Sequence, residues 1–344
     1  MLTLQEYLLH SDSRDFTSRR KWQLLADRFT GGLSKPLSKA IWPKSLKHLR
    51  GFDHDYSFTR SKRGGLSSLR LKGVEVIQSV ALNDLIPSIT RSVTLVTTGP
   101  TALEYDWESL RQSNRMIVTV TGGTKFLQER GITPDLLVVT DPDFCKVNGF
   151  HVRAAAGIPL VIEYRSAAAV HRYFPGGLDD RPVSLIERVN KWYGIPELPQ
   201  EMLHSMNRLS GAPFLISEAP DRLGRIGWSN RLDLGFYPSS TVAFVALQIL
   251  VALGAKDIEI VGMDLGGTQS IYTNALPSKL QQTYPTVILP SFLSMKDALE
   301  GRGIRINNLS PVCPLPPDHF RSGASPKNTI SGGTYAGLYK LYCR

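Results

Sequence analysis

Threonine, glycine and carboxylate residues stand where two apolar runs of this chain stop. The first run passes into Thr97-Thr98-Gly99-Pro100-Thr101, and the second, residues 258–261, passes into Gly262-Met263-Asp264. A glycine at a strand end lets the backbone approach a ligand closely, and the helix start behind it presents free N–H groups to an anion. A carboxylate there can act as a base, bind a sugar hydroxyl or cap a loop. These residues predict a nucleotide or nucleotide-sugar site.

Two further turns carry residues of the same kinds. Thr121-Gly122-Gly123-Thr124 follows the next apolar run, and Ser239-Ser240-Thr241 precedes the long apolar stretch at 242–255. Three hydroxyls beside the free N–H groups of a helix start suit a carboxylate or a phosphate. Each turn also has an ordinary explanation. The first is then a tight loop, and the second an N-cap formed by Ser239 or Ser240.

Two carboxylates end the third apolar run, in Thr140-Asp141-Pro142-Asp143. Asp-X-Asp at a strand end is typical of transferases that hold a divalent metal against a nucleotide diphosphate. A turn with two solvated carboxylates explains the pattern equally well. The seven histidines and three cysteines have no metal-like spacing, so we predict no metal site. His319, in a proline-rich loop, is kept as a candidate base.

The elements that must position these residues alternate between strand and helix from about residue 92 onward. We predict strands at 93–98, 116–120, 136–140, 159–163, 258–261 and 304–306, and helices at 101–114, 123–130, 166–173, 240–253 and 293–299. This alternation predicts an α/β, Rossmann-like fold with a mainly parallel sheet and helices on both faces. The carboxyl ends of its strands share one edge, where open α/β sheets bind ligands.

Composition predicts three parts along the 344 residues. Residues 1–90 form a basic, mostly helical N-terminal region. Residues 91–320 form the Rossmann-like nucleotide-sugar-binding domain, with an irregular insertion at 175–235 that is rich in proline, glycine and arginine. Residues 321–344 form a polar tail.

The net charge of +10 is concentrated in residues 14–72, which hold fifteen Lys and Arg against four Asp and Glu. Such a segment suits an anionic membrane surface or a phosphorylated glycolipid, and a solvated helical face is the plain alternative. We expect no nucleic acid partner. Sparse cysteines indicate a reducing compartment, and the stretch 242–255 is too short to span a bilayer. We expect a cytoplasmic protein, peripheral at the inner membrane if residues 14–72 bind it.

The order of these motifs resembles that of a known group of proteins. It comprises Thr98-Gly99-Pro100-Thr101, then Gly131-Ile132-Thr133-Pro134-Asp135 with Asp141-Pro142, and then Ser240-Thr241 through Leu253-Gly254-Ala255 to Gly262-Met263-Asp264. This order resembles the motility-accessory-factor and MptE-like proteins and, more distantly, the bacterial sialyltransferases that use CMP-sialic acid. The resemblance covers residues 92–145 and 236–312.

The resemblance implies a Rossmann-like core that binds CMP at the strand ends and transfers a 2-keto sugar acid without a required metal. It assigns nucleotide contacts to Gly99, Pro100 and Thr101, and a lining role to Thr121 and Gly122. By the same resemblance, Asp141 lies near the donor sugar, Ser240 and Thr241 face the donor carboxylate or phosphate, Tyr272 binds the phosphate, and Ser310 belongs to the turn on the cytosine side.

Two residues of the sialyltransferase pattern are missing from this chain. The segment 281–294 contains no histidine, where those enzymes have their catalytic one, and no arginine directly precedes the helix hydroxyls unless Arg231 substitutes. The candidate bases are therefore Asp264, Asp143 and His319. The donor sugar is either sialic-acid-like or 3-deoxy-manno-octulosonic acid (Kdo).

These expectations combine into a glycosyltransferase that moves the keto-sugar acid from its CMP-activated donor to a bacterial surface glycan such as lipopolysaccharide. Tyr272 and the Thr98–Thr101 turn would donate hydrogen bonds to the leaving phosphate. No cofactor is expected. One alternative is an MptE-like, ATP-dependent pterin diphosphokinase, with Mg²⁺ held by Asp141 and Asp143. Another is a non-catalytic protein that binds anions or membranes.

Overall fold

The large sheet of the protein is parallel and has seven strands. The computed structural model describes residues 4–11, 48, 55–209, 214–216, 224–265, 271 and 279–315. The sheet consists of β4 (Val93–Val96), β5 (Met116–Val120), β6 (Leu136–Val139), β7 (Leu160–Glu163), β8 (Val183–Ile186), β11 (Asp257–Val261) and β12 (Arg305–Asn308). Their order across the sheet is β12-β11-β4-β5-β6-β7-β8, and every neighbouring pair is parallel.

Helices join these strands as short crossovers. The described α-helices are Leu4–Ser11, Leu82–Leu85, Trp107–Gln112, Gly123–Gln128, Pro142–Asn148, Phe150–Ala154, Tyr164–Tyr173, Gln200–Leu209, Val242–Ala252, Lys279–Thr283 and Leu289–Leu299. A 3₁₀ turn at Pro100–Glu104 follows β4, and a π-helical turn at Tyr284–Ile288 joins the last two helices.

Alternate strand residues pack on opposite faces of the sheet. Val118 and Leu136 face the core that contains the helices Val242–Ala252 and Leu289–Leu299. Their neighbours Ile117 and Leu137 face the other side, which is covered by the helices after β4, β5, β6 and β7. Helices therefore cover both faces, which explains why these strands are apolar throughout. The predicted α/β, Rossmann-like class is confirmed.

The strand order reverses at β4. From there the chain proceeds through β5 to β8 on one side, and later returns to add β11 and β12 on the other. The loops after β4 and β11 thus leave the sheet in opposite directions. In open α/β sheets this reversal opens a crevice at the carboxyl ends of the two strands, where ligands bind.

A second, antiparallel sheet is formed by β1 (Tyr56–Arg60), β2 (Leu66–Leu71) and β3 (Val74–Gln78). It joins the large sheet beyond β8, where Val80 N donates to Val183 O (2.9 Å). We predicted helices and loops for this part of residues 1–90, so that prediction is wrong for residues 56–78. Buried residues do alternate along β1, but the charges and glycines around them obscured the two-residue period. A pair of short strands, β9 (Phe214–Ile216) and β10 (Gly227–Ser229), lies farther along the chain.

The predicted elements of the large sheet are confirmed, with small shifts of their ends. One prediction, a continuous helix at 101–114, is replaced by the 3₁₀ turn and a separate helix that Asp106 caps by accepting from Ser109 N. The segment 175–235, predicted to be irregular, contains the edge strand β8, the helix Gln200–Leu209 and the short strands β9 and β10. None of the helices in the described ranges is long and apolar enough to cross a membrane. Most of residues 1–54 and all of 321–344 lie outside those ranges.

Candidate functional site

The carboxylate of Asp264 ties together the ends of three adjacent strands. It follows β11, is 5% exposed, and accepts a hydrogen bond from Thr101 N (3.1 Å) in the turn after β4. Its other oxygen accepts from the hydroxyls of Thr101 and Ser310, the latter after β12 at 2.6 Å. Three candidate residues predicted from separate segments are thus in direct contact at the crevice where the strand order reverses.

The turns at Gly99 and Gly262 approach each other so closely that Gly99 has no room for a side chain. Gly99 N donates to Gly262 O at 2.9 Å. A Cβ at Gly99 would lie 2.2 Å from that carbonyl oxygen and 2.5 Å from Asp264 Oδ2. Gly262 has φ +77°, a left-handed backbone that favours glycine. These glycines are therefore explained by contact between the turns, and this alone does not require a ligand.

Thr98 is the residue of the first turn whose side chain is left for a ligand. Its carbonyl accepts from Ile271 N (2.9 Å), while its hydroxyl makes no hydrogen bond to any described residue. Thr101, in contrast, donates hydrogen bonds to Asp264 from both its backbone N–H and its hydroxyl. Pro100 has no N–H to offer. Fewer residues of this turn can therefore donate a hydrogen bond to a phosphate than the sequence indicated, and the hydroxyl of Thr98 is one that can.

Strained backbone marks the neighbouring turn after β5. Thr121 has φ +44°, a left-handed conformation that is rare for a β-branched residue. Behind it, Gly123 packs against β5, and a Cβ there would lie 2.2 Å from Thr119 Oγ1. The hydroxyl of Thr124 is buried and has no hydrogen-bond partner in the described part of the chain. A strained backbone persists only where the surrounding structure holds it in place, and such residues are concentrated at functional sites.

Ser239 and Ser240 are also left-handed, with φ +47° and +60°. They precede the helix Val242–Ala252, which packs on β5 and β6. The end of this helix lies near the start of β4, since Ile89 N donates to Leu253 O (2.8 Å). The helix therefore runs against the strands, and its first turn lies at their carboxyl edge beside the crevice.

The first turn of this helix has no side-chain cap. Its N-cap is Thr241, where we predicted Ser239 or Ser240, and the Thr241 side chain makes no capping bond. The two serines adopt the left-handed backbone instead of the extended one that an N-cap residue needs. The Ser239 hydroxyl is fully buried without a partner among the described residues. The first-turn N–H groups thus lack a side-chain acceptor, and a buried hydroxyl without a described partner precedes them closely in the chain.

Asp141 and Asp143 are two residues apart and are engaged separately. Asp141 Oδ1 caps the helix Pro142–Asn148 by accepting from Asp143 N (2.9 Å) and Phe144 N (3.2 Å). The Asp143 side chain is 85% exposed and pairs with Lys146 (2.8 Å). Within the described residues there is no cluster of three or more His, Cys, Asp and Glu that could hold a metal ion.

Two charged residues at the same edge were missed by the sequence analysis. Glu163 ends β7 and is fully buried, and burial raises its pKa even though Arg188, after β8, opposes the shift. The signal that could have found Glu163 is a carboxylate directly after the apolar run of β7. Arg188 had no such signal because it lies in the irregular segment 175–235.

Several other candidates do not join the edge cluster. Arg231, considered as a substitute arginine, is held by both oxygens of Asp233 (2.8 and 2.6 Å). Tyr272 and His319 lie outside the described residues, so their predicted roles remain predictions, as do the ligand contacts of the other site residues. Burial raises the pKa of the Cys145 thiol to about 12 and that of Cys313 to about 11, so neither is a thiolate nucleophile near neutral pH.

Comparison with known proteins gives one curated relative and one solved structure of note. No family model matches the chain. A probable 3-deoxy-manno-octulosonic acid transferase of Escherichia coli (strain K12) is 28% identical over 255 residues, covering 70% of this chain and 85% of that protein. The sialyltransferase CstII from Campylobacter jejuni, solved in complex with the substrate analogue CMP-3FNeuAc, matches with a TM-score of 0.35 and 10% identity over 68% of this chain and 89% of that one.

The two similarities support different conclusions. A TM-score of 0.35 does not support a residue-by-residue correspondence. The similarity to the curated transferase extends over most of both chains. The resemblance to keto-sugar-acid transferases that the motif order predicted is confirmed as a distant relationship, while the likeness to motility-accessory-factor and MptE-like proteins stays a prediction.

Proposed function

We propose that this protein is a glycosyltransferase that takes a 2-keto sugar acid, sialic-acid-like or Kdo, from a CMP-activated donor. The observation that carries the proposal is the similarity to the probable Kdo transferase over 255 residues, because a Rossmann-like fold alone fixes no donor. The acceptor in this proposal is a bacterial surface glycan such as lipopolysaccharide.

The described residues at the carboxyl edge suit the departure of a nucleoside monophosphate. As the anomeric carbon loses CMP, charge grows on the phosphate and must be stabilised by fixed donors. The first-turn N–H groups of the helix Val242–Ala252, the free Ser239 hydroxyl and the Thr98 hydroxyl are such donors. Their positions are fixed by the packed turns, so little reorganisation is needed during the reaction.

Asp264 has a positioning role in this proposal. Its carboxylate accepts three hydrogen bonds and holds the Thr98–Thr101 turn against β11 and β12. These donors occupy three of about four acceptor sites on the carboxylate, which leaves little capacity to take a proton from an acceptor. The assignment of the base to Asp264, Asp143 or His319 stays a prediction.

A thermal-shift panel with CMP, CDP, UDP, GDP and ATP, each with and without Mg²⁺, tests the donor class. A ligand at 100 times its Kd stabilises the folded state by about 2.7 kcal/mol, so selective binding is readily measured. We expect CMP to raise the Tm most, without metal. Stabilisation only by ATP or UDP with Mg²⁺ would overturn the proposal, and dependence on Asp141 would then favour the diphosphokinase.

A further inference from the structure

Arg188 reaches across the carboxyl edge of the sheet from β8 towards β6. It lies two residues after β8, and its Nη2 donates to the carbonyl of Thr140, directly after β6, at 3.2 Å. Its guanidinium therefore lies over the end of the strand between them, β7. The side chain is 29% exposed, which places it on the accessible rim of the edge.

Arg188 forms one long ion pair among the described residues, with the buried Glu163, and does not hydrogen-bond to it. The nearest carboxylate oxygen is Glu163 Oε1, 3.9 Å from Arg188 Nε and beyond hydrogen-bond reach. The other oxygen of Glu163 is engaged by Arg165 N, Ser166 N and the Ser166 hydroxyl. Both Arg188 Nε and Glu163 Oε1 are buried and make no hydrogen bond within the described ranges.

Arg60 and Arg231 are each held by a carboxylate, whereas Arg181, before β8, donates to Val152 O and makes no ion pair with a described residue. Arg60 is paired with both oxygens of Glu187, and both side chains are almost fully buried. Arg231 is paired with both oxygens of Asp233. A guanidinium has five N–H donors. Among the described residues, Arg188 donates one hydrogen bond, to the carbonyl of Thr140. A planar fork with open donors is suited to bidentate recognition of a carboxylate.

We propose that Arg188 binds the carboxylate of the keto-sugar acid, an inference that rests on the proposed function. Its anchor at the end of β6 is two strands from β4, or about 10 Å at the usual strand spacing. The helix Val242–Ala252 packs on β5 and β6, and its first turn lies at the same carboxyl edge. The carboxylate of a 2-keto sugar acid is bonded to the same carbon as the leaving phosphate. With the phosphate at the helix start, the orientation of this carbon that turns its carboxylate towards β6 brings the carboxylate to the side of Arg188.

Calorimetric titration with CMP, CMP-sialic acid and CMP-Kdo tests this subsite, because CMP alone lacks the carboxylate. We compare the wild type with Arg188→Gln, Arg188→Lys and, as a matched control, Arg305→Gln. Arg305 is 63% exposed and lies at the opposite end of the strands, at the start of β12. For Arg188→Gln we expect the Kd of CMP to change by less than twofold. We expect the Kd of whichever sugar nucleotide binds the wild type more tightly to rise at least tenfold.

Arg188→Lys keeps the positive charge but not the planar pair of N–H donors. Its Kd for the sugar nucleotide should therefore lie between that of the wild type and that of Arg188→Gln. Equal weakening of CMP and of the sugar nucleotides by Arg188→Gln would overturn the proposal, because Arg188 would then hold the nucleotide. Unchanged affinity for all ligands would also overturn it. So would an effect confined to the KM of the acceptor glycan.

A second ligand pair separates this proposal from the proposed function. If the wild type does not bind CMP, the proposed donor is wrong, and free Kdo and its methyl ester then test Arg188 without a nucleotide. Preference for the free acid that is lost in Arg188→Gln would support the carboxylate subsite. Absence of binding to either compound would overturn both proposals.

Discussion

At the scale of single residues, carboxylates of the same type have different functions because their surroundings differ. Asp264 is buried and receives three hydrogen bonds, Asp141 caps a helix, and Asp143 is exposed beside Lys146. Glu163 is the carboxylate whose burial is least compensated, since one of its oxygens has no hydrogen-bond donor among the described residues. Burial without compensation is what raises a carboxyl pKa.

Replacement of Asp264 by Asn should destabilise the fold by about 1–3 kcal/mol, because the new amide N–H₂ would face donors in Thr101 or Ser310. Urea denaturation of the variant measures the change. Asp297→Asn, an exposed carboxylate of the helix Leu289–Leu299, serves as the control and should stay within about 0.5 kcal/mol of the wild type. Lost transferase activity at full stability would instead identify Asp264 as the base.

Glu163 should make the stability of the wild type fall as pH rises. Its pKa is raised in the folded state above the ordinary 4.5, so the folded protein holds the proton more tightly than the unfolded chain. The stabilisation is complete below pH 4.5 and is lost as pH rises through the folded-state pKa. Glu163→Gln cannot titrate, so its Tm relative to the wild type should increase from pH 4 towards pH 8.

If the Tm difference between Glu163→Gln and the wild type is the same at every pH, Glu163 is not a raised carboxyl in the folded protein.

At the scale of elements, the helix Val242–Ala252 combines two functions. Its middle is fixed by Gln248, a fully buried side chain that accepts from Ser229 N and Tyr237 N and donates to Tyr237 O. This explains a polar residue within an apolar helix. Its first turn, in contrast, lacks a side-chain cap. Rigid packing behind an open helix start is what a pre-organised anion site requires.

Ser239→Ala should reduce ligand binding without reducing the stability of the empty protein. The Ser239 hydroxyl is buried without a described partner, so its removal relieves an unpaired group, and the Tm should stay equal or rise. The Tm increase caused by CMP should become smaller.

Ser291→Ala is the matched control for this prediction, since the hydroxyl of Ser291 is equally buried but already donates to Val287 O (2.7 Å). It should lower the Tm and leave the CMP-induced increase unchanged. A CMP response in Ser239→Ala equal to that of the wild type would contradict the anion site.

At the scale of the whole molecule, the sequence predicted the parts of the fold that depend on continuous apolar runs. Strands such as β5 and β7 are buried on both faces, and their composition therefore identifies them. β8 was missed because it lies in a segment rich in proline and arginine, and β1–β3 because charges interrupt their alternation. Contacts between distant segments, such as Asp264 with Thr101, followed from the parallel order of strands. The position of Arg188 depended on side-chain packing that no spacing encodes.

The basic segment 14–72 gives a prediction at this scale. Replacement of its Lys and Arg at positions 14–50 by Gln should weaken binding to vesicles that contain anionic phospholipid, since each cation near such a surface contributes about 1 kcal/mol. Arg60 is kept, because it pairs with the buried Glu187. Vesicle co-sedimentation at low and high salt measures the effect. Unchanged binding would show that this segment does not attach the protein to membranes.

The chain contacts the rest of the protein on both sides of residues 12–47. Leu8, before them, is fully buried in the large core, and His48, directly after them, contacts Trp192 O (3.0 Å) and Glu197 (3.3 Å). Residues 12–47 therefore connect two anchored points. A protease cut between them would leave two fragments that still co-elute in gel filtration and separate only in denaturant.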